Sequence, residues 1–188
     1  VNKIKWACSA RKAGHAGTLD PSATGILAIA LGEATKTIPY VTEQIKSYTF
    51  EVKWGEATDS DDSDGKIIKT SQMRPSEQDI IAILPRFRGE IKQTPPFFSA
   101  VKINGRRAYE LARSGEDFDI ASRSLFVSSL KLEKYISENS AILSLECGKG
   151  GYVRSIARDL GLELGCYGHV KWLRSCLLYT SDAADESS

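Results

Sequence analysis

A single carboxylate set in a turn rich in glycine and proline is the feature of this chain best suited to chemistry. It lies within Gly14-His15-Ala16-Gly17-Thr18-Leu19-Asp20-Pro21-Ser22-Ala23-Thr24-Gly25. Pro21 fixes its own φ and biases Asp20 toward an extended backbone, while glycines at 14, 17 and 25 allow shapes closed to other residues. The turn is expected to hold Asp20 at a strand edge, within reach of a substrate. An acid so placed can act as a nucleophile or as a general base. An Asp-Pro pair alone is more often a simple Asx turn, so the surrounding chain must decide between the two.

The elements that would position Asp20 follow from periodicity. Tyr48, Phe50, Val52 and Trp54 alternate with Thr49, Glu51 and Lys53, the pattern of a half-buried strand. The apolar run from Ile26 to Leu31 predicts a short buried strand, and Ile4, Ala7 and Cys8 predict a helix end within Val1 to Arg11. Ala34 to Val41 starts as a helical turn that Pro39 is expected to cut. Ser76 offers an N-cap with Asp79 three residues on, and Pro85 stops the helix that follows. Pro95 to Ile103 reads as extended, closed by Asn104-Gly105, and Arg106 to Ser114 as a helix capped by Gly115. Leu125 to Tyr135 and Ala141 to Cys147 form a strand pair. The helix Tyr152 to Leu164 carries Val153, Ile156, Ala157, Leu160 and Leu164 on one face. The mixture predicts an α+β fold with a largely antiparallel sheet and no internal repeat.

Composition bounds the function. The chain has 188 residues, 41% hydrophobic and 26% charged, ordinary values for one soluble domain. No apolar stretch reaches bilayer length, and Val1 to Arg11 lacks the apolar core of a secretory signal. Four cysteines without a CxxC pair, with only two histidines, argue against zinc and for free thiols in a reducing, cytoplasmic compartment. No GxxxxGK[ST] string is present, which argues against a nucleotide-binding loop. The net charge is only +1, yet Pro85 to Ser114 carries seven basic residues against two acidic. Gly148 to Arg174 carries five against two, while Glu56, Asp59, Asp61, Asp62 and Asp64 hold the compensating charge. Segregation of this kind can make a positive face for a phosphate backbone, and a mixed solvated surface is the plainer alternative.

Four ordered strings carry a resemblance. The first is the Asp20 turn. The second is Lys46-Ser47-Tyr48 with Trp54-Gly55 and Thr58-Asp59-Ser60-Asp61-Asp62-Ser63-Asp64-Gly65. The third is Thr94-Pro95-Pro96-Phe97-Phe98-Ser99-Ala100-Val101-Lys102 with Ala108-Tyr109-Glu110-Leu111-Ala112-Arg113-Ser114-Gly115. The fourth is Cys147-Gly148-Lys149-Gly150-Gly151-Tyr152-Val153-Arg154-Ser155 with Leu164-Gly165-Cys166-Tyr167-Gly168-His169-Val170 and Leu173-Arg174. Together they resemble the TruB family of tRNA pseudouridine synthases, of bacterial type, over residues 1–175. The resemblance implies the pseudouridine synthase fold, a mainly antiparallel mixed sheet flanked by helices and loops, with an RNA-contacting insert over about 85–120.

It also implies a cofactor-free, metal-free isomerisation of a uridine in the tRNA T-arm, in which the glycosidic bond is cleaved and the base is rejoined through carbon. Asp20 becomes the catalytic carboxylate, as nucleophile or base, with Arg154 as the cation that compensates it and Tyr48 as the tyrosine that stacks on uracil. A guanidinium suits that task because it stays charged and binds a carboxylate through two nitrogens. His15 is expected to occupy the space left by the flipped nucleotide, with Asp62 assisting through contact with His15 or the RNA. Lys36, Tyr152 and Leu173 match active-site positions, the last two as apolar walls of the uracil pocket. Lys102, Arg106, Arg107 and Arg113 are expected on phosphates without base specificity. The expected partner is tRNA alone, with no membrane, no obligate protein partner and a monomeric enzyme.

Four features depart from the family pattern. The strand and Lys-Pro motif that usually precede the first helix are missing, and so is a C-terminal PUA-like module, as in the catalytic domain of a gene fragment. Residues 176–188, beginning Cys176-Leu177-Leu178-Tyr179, read as a non-native tail. Ala16 stands where Thr or Ser is usual. A truncated protein that binds and helps fold tRNA with weak catalysis is the alternative that these departures leave open.

Overall fold

The computed structural model describes residues 1–17, 19–20, 22–42 and 44–176. Thr18 and Pro21 of the Asp20 turn and residues 177–188 of the expected tail lie outside them. The first half contains α1 (Asn2–Ala7), β1 (Ala13–His15), β2 (Thr24–Gly25), β3 (Ile29–Leu31), α2 (Ile38–Thr42), β4 (Lys46–Trp54), β5 (Glu56–Thr58), β6 (Ile67–Thr70), α3 (Glu77–Ile83) and β7 (Gly89–Gln93). The second half contains β8 (Lys102–Ile103), β9 (Arg106–Arg107), α4 (Ala108–Ser114), β10 (Arg123–Ser137), β11 (Ser140–Cys147), α5 (Val153–Glu163) and β12 (Gly168–Cys176).

The main sheet has six strands in the order β2-β12-β4-β11-β10-β7, antiparallel except for the β2–β12 pair. This is the expected α+β architecture. The alternation in β4 buries Phe50, Val52 and Trp54 against Leu143 and Leu145 of β11 and the apolar face of α5, including Val153, Ile156, Ala157 and Leu160. Each of the larger aliphatic and phenyl side chains among these, withdrawn from water, contributes about 1.5–3 kcal/mol before entropy is counted. Helix α5 packs on β12 and β4, and this fixes where its first turn points.

Several local expectations hold. Ser76 and Asp79 form a capping box on α3, which ends before Pro85. Gly115 ends α4 in the left-handed conformation, and Asn104-Gly105 links β8 to β9. Others are corrected. The run from Ile26 to Leu31 gives only the three-residue β3, paired with β1, and Ile26 is 59% exposed. Pro39 does not cut a helix, because it sits in the first turn of α2, where its missing N–H is not needed. Strand β4 is more buried than its pattern predicts: Glu51 on its outer face is 5% exposed beneath Lys171, whose Nζ donates to it at 2.9 Å. Cys176, assigned by sequence to the tail, pairs with Ser47 as the last residue of β12.

Gly25 has a conformational reason to be glycine. Its φ is +120°, and a Cβ there would stand 2.0 Å from the carbonyl oxygen of Ser175. That close approach lays β2 alongside β12 and so anchors the far side of the Asp20 turn. Gly25→Ala is expected to destabilise the protein by about 2 kcal/mol or more in urea melts. A melt superimposable on the parent would contradict this account of the turn.

Candidate active site

The first turn of α5 is built from Tyr152 onward, and a buried glutamine aligns it. Tyr152 N donates to Gln93 Oε1 at 2.8 Å, and Gln93 Nε2 donates back to Tyr152 O at 3.1 Å. This reciprocal pair ties the helix start to the end of β7. Two residues on, Arg154 leaves the helix toward the interior, with its side chain only 7% exposed. A guanidinium so deeply placed needs a partner for nearly every N–H.

It finds them on three separate stretches of chain. Nε donates to Asp20 Oδ2 at 2.9 Å and Nη2 to Asp20 Oδ1 at 3.0 Å, a bidentate ion pair across 134 residues of sequence. Nη1 donates to Ser60 O at 3.0 Å and lies 3.5 Å from Asp62 Oδ2. Nη2 also donates to Phe98 O at 3.1 Å. The Asp20 carboxylate keeps 26% of its side chain exposed, and its main-chain oxygen closes a turn by accepting from Ala23 N at 2.9 Å. An exposed carboxylate edge, oriented from behind by a fixed cation, can approach a substrate without first shedding a mobile counter-ion.

Tyr48 lies on β4 directly opposite Leu145 and Ser175, on the face that carries Phe50. Burial raises its phenol well above the usual range, with Cys147 and then the negative charge of Asp20 adding to the effect. It is therefore a neutral phenol at physiological pH. Tyr48 lines a narrow cleft with Gly17, Leu19, Leu27, Lys46 and Ser175, about 50 Å³ in volume, beside the Asp20 turn. Burial also lowers the Lys46 ammonium, whose Nζ lies next to Gly17. A larger cavity of about 660 Å³, lined by Asp59, Phe97, Phe98, Glu116 and Phe118, lies under the insert and includes none of Asp20, Tyr48, Asp62 and Arg154.

The remaining expected site residues divide. Asp62 joins the cluster through Arg154, and also accepts from Ser60 Oγ at 2.5 Å and Asp64 N at 3.1 Å. It makes no hydrogen bond to His15, which is exposed on β1 and bonds instead to the carbonyl of Gly17. Lys36 is exposed and pairs with Glu33 within its own helical turn. Tyr152 is half-buried at the head of α5, and Leu173 is buried in the core opposite Phe50. Lys102, Arg106, Arg107 and Arg113 are exposed together on β8, β9 and α4. Two of these have internal partners: Arg106 pairs with Glu116 at 2.9 Å and Arg107 donates to Ala100 O at 2.6 Å.

Gln93, Lys46, Asp61 and Arg158 take part in or border the cluster without having been assigned roles from the sequence. Arg158 Nη1 donates to Asp61 Oδ2 at 2.9 Å. Among the described residues no group of three or more His, Cys, Asp and Glu side chains could hold a metal ion, and no helix is long and apolar enough to cross a membrane.

Asp61 sets a pH dependence. Burial lifts its carboxyl to about 6, outweighing the opposing pull of Arg158. An unfolded aspartate titrates near 3.9. From about pH 4 to 6 the folded state therefore binds more protons than the unfolded, so this group's contribution to stability is lost as pH rises through about 6. Asp61→Asn is expected to flatten that part of the stability–pH curve, leaving the share due to Asp159, which burial also raises. Parallel curves for parent and variant would contradict this.

The family model described as "TruB family pseudouridylate synthase (N terminal domain)" matches residues 5–153. Among curated proteins, "tRNA pseudouridine synthase B" of Cereibacter sphaeroides strain ATCC 17025 is 60% identical over 174 residues, covering 93% of this chain and 58% of that protein. The protein of the same name from Ruegeria pomeroyi is 58% identical, covering 93% of this chain and 57% of its own length. The chain thus spans less than two thirds of the relatives it matches. Of the solved structures, that described as "Crystal Structure of a Cbf5-Nop10-Gar1 Complex" aligns with a TM-score of 0.67 at 28% identity, covering 93% of this chain and 42% of the other.

Proposed function

The chain belongs to the TruB family of pseudouridylate synthases, and on that premise we propose that it isomerises a uridine in the T-arm of tRNA to pseudouridine. The observation that carries the reading is the bidentate contact of Arg154 with Asp20, at 2.9 and 3.0 Å, beside a cleft that Tyr48 lines. The reaction breaks the N1–C1′ bond, turns the base and joins C5 to C1′; C5 loses a proton and N1 gains one. It needs no electron acceptor and no group carrier. It does need an acid at the ribose and a surface that retains the detached base.

Asp20 meets the sugar, either attacking C1′ or removing a sugar proton, while Arg154 holds both carboxylate oxygens in one plane. Tyr48, as a neutral phenol, presents a flat face and a proton donor to the base; it does not begin the cycle as a phenolate base. The target nucleotide has to leave the loop stack before it reaches Asp20, at a cost of about a few kcal/mol. His15 fills the gap that it leaves, a reading supported by its exposure at the start of the same turn. Lys102 and Arg113, with Arg106 and Arg107, supply phosphate contacts from the insert.

Asp20→Asn is expected to lower pseudouridine formation by about 10³-fold or more while tRNA affinity changes by less than about threefold. Chemical mapping of product in tRNA, alongside filter binding, measures both. Normal turnover in the variant would remove Asp20 from its role. Product formed at catalytic protein-to-tRNA ratios by the parent chain excludes a protein that only binds and folds RNA.

A further inference from the structure

Arg158 lies one helical turn beyond Arg154 on α5, so the two guanidiniums leave the same face of the helix. Its Nη1 donates to Asp61 Oδ2 at 2.9 Å, its Nε to Asp159 Oδ1 at 2.9 Å and its Nη2 to Thr94 O at 2.8 Å. The neighbouring Ser155 Oγ donates to the same Thr94 carbonyl at 2.8 Å. Asp61 and Thr94 lie on stretches of chain that Arg154 also grips. Asp61 stands between Ser60 and Asp62, both partners of Arg154, and Thr94 is four residues before Phe98, another of its partners.

Asp61 is costly to keep. Its φ is +61°, a region closed to most L-residues that Asp and Asn enter at a smaller cost. Its side chain is 11% exposed, although it carries a carboxylate. Its main-chain oxygen accepts from Val170 N at 3.0 Å, so the loop is held to β12 as well as to α5. Two unfavourable features at one residue beside a candidate active site call for a local reason. Stability alone supplies none, since a buried ion pair is seldom a net gain over apolar packing.

We propose that Asp61 and Arg158 are positioning residues: together they fix the 58–62 loop and the 94–98 segment to α5, and so aim Arg154 at both oxygens of Asp20. The role is indirect, because neither group touches Asp20. Without the pair, the Ser60 and Phe98 carbonyls drift relative to α5, and Arg154 loses the contacts that set the plane of its guanidinium. The proposal rests on the isomerase reading for its functional meaning, but the geometry it concerns exists before RNA binds.

Asp61→Asn and Arg158→Gln test it, singly and combined. Asparagine tolerates positive φ and keeps the size of the side chain, so the first variant removes the charge with little else. Each single variant is expected to slow single-turnover pseudouridine formation at saturating tRNA by about tenfold or more, with tRNA affinity unchanged. The double variant is expected to be no slower than the slower single, the sign of one shared function. A folded single variant with a rate within about twofold of the parent overturns the proposal.

A second readout does not depend on turnover. Hydrogen exchange at Arg154 Nε–H, its NMR signal assigned by loss in Arg154→Lys, is expected to quicken about tenfold or more in Asp61→Asn at matched pH. Unchanged exchange overturns the proposal whether or not the chain is active. Faster exchange in a protein whose parent forms no product supports the positioning role and counts against the isomerase reading alone.

Discussion

One buried cation organises the centre of this molecule. Arg154 could not sit 7% exposed within the fold unless its donors were met, because an unpaired interior charge costs several kcal/mol. The partners come from the Asp20 turn, the 58–65 loop and the 94–101 segment, none of which is a strand or helix at the point of contact. The loops are thus ordered by the helix they surround, and the requirement to satisfy one guanidinium brings a carboxylate to a defined place. Structure and proposed chemistry share the same contact.

The cation also explains where the charge of the chain goes. Part of the negative charge of the acidic loop is turned inward. Asp61 and Asp62 turn inward to Arg158 and Arg154, and Glu51 is covered by Lys171. Of the five basic residues between Gly148 and Arg174, those three are therefore engaged in ion pairs. The positive surface is therefore narrower than a residue count suggests. On the insert, Lys102 and Arg113 are exposed, with Arg106 and Arg107 beside them bonded to Glu116 and to the Ala100 carbonyl.

Periodic elements were legible in the sequence because their pattern and their packing agree. The alternation in β4, the apolar face of α5 and the capping box of α3 each carry local signals that tertiary contacts reinforce. Misreadings fell where local and tertiary signals part. The run from Ile26 to Leu31 is apolar yet lies near the exposed turn, and Pro39 falls in the one stretch of a helix that tolerates it. The pairing of Asp20 with Arg154 was expected from motif resemblance, and not from spacing. The supporting groups had no such signal. Gln93 looks like any polar residue before a proline-rich stretch, and Arg158 like an exposed helix charge, until the chain folds and the partners arrive from 59 and 97 residues away.

The central claim is that Arg154 matters for the shape of its guanidinium and not only for its charge. Lysine at that position keeps a cation in the interior but cannot hold both oxygens of Asp20 while serving the carbonyls of Ser60 and Phe98. Single-turnover pseudouridine formation by Arg154→Lys, in protein shown to be folded, measures that difference most directly. A rate about 10²-fold or more below the parent, with tRNA still bound, is the result this account predicts. A rate equal to the parent's would contradict it.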